Sequence, residues 1–94
     1  YGAHGVTGTD GFAVASGLCP HFSIDDTYLM TQMAVDEAVR NLICHGVDPE
    51  KVALVDNFCW PDPTPGPRNP DAEFKLAQLV RSCLALKEMT EIYG

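Results

Sequence analysis

Basic residues are scarce in this sequence. Six Lys and Arg stand against 13 Asp and Glu, a formal charge of −7 over 94 residues. A nucleic-acid binder needs a cationic footprint to neutralise phosphates, so nucleic acid is excluded as a partner. Long apolar runs are missing too: stretches such as Val52–Val55 fall far short of the roughly 20 residues that span a bilayer, and no membrane partner is expected. Close cysteine pairs are absent. Cys19, Cys44, Cys59 and Cys83 are widely spread, which excludes a zinc-clip spacing. With no secretory leader ahead of them, they read as reduced thiols in or near the core of a cytoplasmic protein. What remains is ordinary for a globular chain, 46% hydrophobic and 20% charged. The length suffices for one small domain, which buries only about two thirds of its unfolded surface. Tyr1 in place of an initiator Met, and Gly94 just after a helical pattern, read as cut ends. Residues 1–94 are therefore expected to form a single incomplete domain.

Residues 1–11, with Gly2, Gly5, Gly8 and Gly11, read as an entry loop; a phosphate-cradling loop is the weaker alternative. Phe12–Ala15 is a short apolar run closed by Gly17, the pattern of a buried strand. Asp25 and Asp26 offer a cap to a helix expected over Thr27–His45, where Tyr28, Val35, Val39 and Leu42 belong to a wide apolar stripe. Gly46 and Pro49 stop it. Val52–Phe58 reads as a second buried strand ending near Asp56-Asn57, and five prolines follow between Trp60 and Pro70. A second helix is expected over Asp71–Tyr93, with Leu76, Leu79, Val80, Cys83 and Leu84 on one face. The expectation is an α/β (α+β) fragment, a partial mixed sheet with two helices. Such a sheet has an open edge that could pair with a second copy.

Few residues invite chemistry. Glu37 and Asn41 are four apart and share a helix face. A carboxylate and an amide oxygen one turn apart can hold Mg2+, which takes hard oxygens and keeps several waters. The bland alternative is a solvated face with Glu37 paired to Arg40 or Arg81. Asp56 and Asn57 stand at an expected strand end, a common ligand position in α/β folds, or else simply form a turn. His4, His21 and His45 have no Ser or Cys neighbour that would make a nucleophile pair; His45 suits a helix C-terminus. Trp60 could stack on a base, but fits better as an anchor for the proline-rich loop.

The ordered segments Gly17-Leu18-Cys19-Pro20, Asp26-Thr27-Tyr28, Val35 to Leu42, Val55 to Pro63 and Lys75 to Arg81 together resemble the formylglycinamidine ribonucleotide synthases. The most specific parts are Asp-Glu-Ala-x-x-Asn-Leu and Asp-Asn-Phe-x-Trp. The resemblance covers nearly the whole chain and points to the amino-terminal domain of the second aminoimidazole ribonucleotide synthetase-like half. It implies a domain that pairs to close a β-barrel. The implied parent is an ATP-dependent ligase of purine biosynthesis: ATP activates the amide oxygen of formylglycinamide ribonucleotide, and glutamine-derived ammonia displaces phosphate. The implied partners are the remaining synthetase domains and a glutaminase subunit or domain; the implied cofactors are ATP or ADP and Mg2+. Glu37 and Asn41 match magnesium ligands and Asp56 a nucleotide contact, with no catalytic residue in this piece. Sister enzymes often place Asp where Asn41 stands, and Pro61 replaces a frequent Gly. The alternative is a non-catalytic nucleotide-binding or assembly module of the same superfamily.

Overall fold

The computed structural model describes Gly5 and residues 7–93. Residues 1–4, His4 among them, and Val6 of the glycine-rich entry segment therefore lie outside the described residues.

The first helix, α1, runs over Thr27–Ile43. Asp26, in extended backbone, caps it by accepting from the Tyr28 amide at 2.7 Å, satisfying one of the first-turn donors. It ends two residues before the expected His45. Gly46 adopts φ 78°, a conformation that costs glycine nothing. The Val47 amide then turns back to the Leu42 carbonyl at 3.3 Å, in the manner of a Schellman cap. The second helix, α2, covers Ala72–Tyr93. Short 3-10 helices occupy Pro20–Ile24, leading into α1, and Pro49–Lys51, following it.

The two helices pack on each other through small and hydroxyl side chains. Thr27, Thr31, Val35 and Val39 are buried on α1; Ala72, Ser82 and Ala85 are buried on α2. The Thr27 hydroxyl meets the Gln78 carbonyl at 3.1 Å and its Oε1 at 2.8 Å, and the Ser82 hydroxyl donates to the Thr27 carbonyl at 3.3 Å. Burying these polar groups is tolerable because they are paired. The expected apolar face of α2 is corrected here. Leu76, Val80 and Leu84 are about half exposed, at 48, 51 and 52%. Helix pairs approach most closely along small residues, and the inner face of α2 is the one that carries them. Cys19 alone of the cysteines is buried; Cys44, Cys59 and Cys83 are exposed, and all four are free thiols.

The α/β expectation is overturned. Among the described residues there is no strand, sheet or barrel; the only bridge, Gly66 to Asn69, lies in the proline-rich loop. The chain is a helix pair flanked by extended segments. Phe12–Ala15 and Val52–Phe58 belong to no regular element, with Val14 85% and Val55 94% exposed. A strand exists only when a second strand lies about 4.8 Å away to complete its ladder. Val52–Phe58 instead lines a cleft, to which the first segment contributes only its last residue, Ala15. The expected sheet edge, and pairing of copies through it, lose their footing with the sheet. No helix among the described residues is long and apolar enough to cross a membrane.

Candidate functional site

Glu37 and Asn41 project from α1 toward the extended segment Ser16–Cys19 and clasp it. Glu37 Oε2 accepts from the Leu18 amide at 3.0 Å and from the Cys19 thiol at 3.1 Å. Asn41 Nδ2 donates to the Ser16 carbonyl at 3.2 Å. Between these bonds Gly17 lies directly on α1: a Cβ there would sit 1.8 Å from the Ala34 carbonyl oxygen and 2.9 Å from the Ala38 nitrogen. Only a residue without a side chain lets the strap lie this close.

The clasp is electrostatically consistent. The Cys19 thiol and then the Leu18 amide, both donating, hold the Glu37 carboxyl below its usual range, with burial opposing. The same bond to Glu37, helped by burial and the carboxylate's charge, raises the Cys19 thiol. Cys19 is therefore a protonated donor and not a thiolate nucleophile.

Neither alternative partner for Glu37 is used. Arg40 pairs with Asp36, and Arg81 pairs with Asp26 at 2.7 Å. Asp36 also accepts from the Tyr93 hydroxyl at 3.2 Å. Glu37 and Asn41 each engage the strap through one atom. Glu37 Oε1 and Asn41 Oδ1 make no hydrogen bond among the described residues.

Asp56 is exposed on the second extended segment. It lines a cleft of about 870 Å³ that Ser16–Cys19 of the strap also lines, while Glu37 and Asn41 themselves do not. That volume lies within the ~300–1,000 Å³ of small-ligand sites. The structure thus places Asp56 and the clasped strap on one cleft, with no contact between Asp56 and the Glu37–Asn41 pair. At the cleft's end Trp60 donates its indole N–H to the Lys75 carbonyl at 2.9 Å and packs edge-on to Phe58, with ring centroids 6.0 Å apart. Trp60 is the anchor expected of it. His45 Nδ1 lies 2.7 Å from the Asn41 carbonyl at the end of α1.

Hard-oxygen donors set what ion could bind. No group of three or more His, Cys, Asp or Glu is assembled among the described residues, so a dedicated all-protein cage is not formed. One carboxylate and one amide oxygen fit Mg2+, which typically takes one or two protein ligands and completes its shell with water and phosphate oxygens. Gly17 and the Cys19–Glu37 bond were not singled out as site features from the sequence; the glycine between an apolar run and Pro20 is the one signal that marked the spot.

The chain matches a domain type found in ATP-dependent synthetases and ligases. The match is to the family model described as AIR synthase related protein, N-terminal domain, over residues 2–92, and the chain belongs to that family. No curated protein and no solved structure is significantly similar to it.

Proposed function

We propose that the chain is the amino-terminal domain of the second synthetase half of a formylglycinamidine ribonucleotide synthase, where it contributes a magnesium–nucleotide site. The observation that carries this reading is the Glu37–Asn41 pair on α1, each residue tied at one atom and presenting its remaining oxygen. Family membership over residues 2–92 supports it. In this reading Glu37 and Asn41 hold the ion, which screens phosphate charge as phosphoryl-transfer sites require. Asp56, on the cleft wall, contacts the nucleotide. Formylglycinamide ribonucleotide is the parent's substrate, ammonia comes from a glutaminase partner, and the protein works in the cytoplasm. In this reading the domain is inactive until joined by the other synthetase domains.

Calorimetry with ADP, with and without Mg2+, tests the site. Glu37→Gln keeps an oxygen that can accept from Leu18 but removes the carboxylate charge. It is expected to weaken magnesium-dependent ADP binding at least about tenfold, equivalent to 1.4 kcal/mol. Equal affinity of variant and parent overturns the metal role. A second reading is that the nucleotide is structural and never turned over. It makes the same binding prediction, with the ADP retained unchanged through turnover of the assembled enzyme.

A further inference from the structure

We infer that the Ser16–Cys19 strap is a positioning element for the metal pair: by occupying one atom each of Glu37 and Asn41, it fixes Glu37 Oε1 and Asn41 Oδ1 for a phosphate-borne divalent cation. This rests on the metal reading above and deepens it by naming what orders the ligands. The logic is that of donors and acceptors. A backbone carbonyl can only accept, so the Ser16 oxygen selects the Asn41 NH2 and turns the amide oxygen away from the strap. A backbone amide and a thiol both donate, so Leu18 and Cys19 converge on one carboxylate oxygen and leave the other uncommitted.

Glu37 and Asn41 are themselves exposed residues, and long exposed side chains lose rotamer freedom when a ligand orders them. The strap has already imposed that order, which raises affinity by pre-organisation. Gly17 is the part that makes this possible. Its backbone rests on the Ala34 and Ala38 main chain, which brings the Ser16 carbonyl and the Leu18 amide within reach of side chains one helical turn apart. The strap's role is thus that of the hydrogen-bonded partners that orient metal-ligating groups.

The test measures Mn2+·ADP binding by the electron paramagnetic resonance signal of free Mn2+, alongside reactivity of Cys19 toward a thiol reagent. Gly17→Ala is expected to weaken Mn2+·ADP binding about tenfold, the lower end of the loss seen when such orienting partners are removed. Cys19 becomes reactive, while metal-free ADP binding and helix content stay unchanged. A purely structural strap predicts reactive Cys19 with unaltered Mn2+·ADP affinity, and that result overturns the inference. If Gly17→Ala fails to fold, an amide-to-ester replacement at Leu18, made by synthesis and ligation at Cys19, removes one donor and no side chain. The same tenfold weakening is expected, and unchanged affinity again overturns the proposal. Glu37→Gln separates the two levels. Loss in Glu37→Gln with normal affinity in both strap variants sinks the positioning role alone; parental affinity in Glu37→Gln sinks the metal site and the inference with it.

Discussion

Ser16–Cys19 and Val52–Phe58 belong to two apolar extended stretches of similar composition, yet the molecule treats them differently. The first is clasped by Glu37 and Asn41 and lies on α1 at Gly17. The second is held at its far end, where Trp60 reaches the Lys75 carbonyl, although exposed apolar side chains stand on both, Leu18 at 79% and Val55 at 94%. Apolar character alone therefore does not decide whether an extended segment is fixed. What fixes it is a partner for its backbone groups, which are obligatory hydrogen-bonders. In the strap, two side chains of α1 supply that partner.

The largest expected effect comes from Gly17→Ala. The new methyl would meet main-chain atoms of α1, which cannot swing aside as a side-chain tip can. Overpacking of this kind costs about 1–3 kcal/mol, to be read from urea unfolding followed by circular dichroism. Val55→Thr on the other segment should stay within about 0.5 kcal/mol of the parent, as surface substitutions usually do. If the two variants lose similar stability, the contrast between the segments is not real.

Trp60→Phe probes the second segment's own anchor. It keeps an aromatic body beside Phe58 but deletes the indole donor to the Lys75 carbonyl. That carbonyl sits in α2, so it retains the helix's own bonding. The net cost should be about 0.5–1.5 kcal/mol, that of one hydrogen bond, and smaller than that of Gly17→Ala in the same unfolding measurement. A larger loss would show that the second segment is the more firmly held of the two.

The helices were legible because their signals are local. Asp26 caps, Gly46 turns left-handed and Pro49 forbids continuation, all within a few residues of the ends they define. The sheet was misread because a strand depends on a distant partner that an apolar run cannot announce. The inner face of α2 was misread for a related reason. Leu76, Val80 and Leu84 make the stronger apolar stripe, but Ser82 and Ala85, small enough for close approach, are what α1 packs on. At the site, the shared face of Glu37 and Asn41 follows from their spacing. Their commitment to Ser16, Leu18 and Cys19 spans 18 to 25 residues of sequence and has no local signature.

The smallest expected effect is on acidification, and it separates the two segments by the chemistry of their anchors. The strap leads through Pro20–Ile24 into Asp26, whose carboxylate both caps α1 and pairs with Arg81. The Arg81 guanidinium first, then the Tyr28 amide, hold the Asp26 carboxyl below its ordinary value of 3.8. The stabilisation from a carboxylate lowered in the folded state is complete above its unfolded pKa. It is lost as pH falls through the lowered folded value. The helix pair should therefore loosen at this end below about pH 4, near the reference Asp value, and not between pH 5 and 8. The Trp60–Lys75 bond involves no titrating group, since an indole N–H donates to a main-chain carbonyl. Nuclear magnetic resonance should show the Tyr28 amide proton shifting as acid is added while the Trp60 indole proton holds its position. Because Asp26 and Arg81 are both partly exposed, at 30 and 48%, solvent and salt screen their pairing. The same transition in 0.5 M salt should lie closer to the ordinary Asp value. A Tyr28 shift centred above pH 5, or an indole proton that moves with it, would mean that the two ends of the cleft are not held independently.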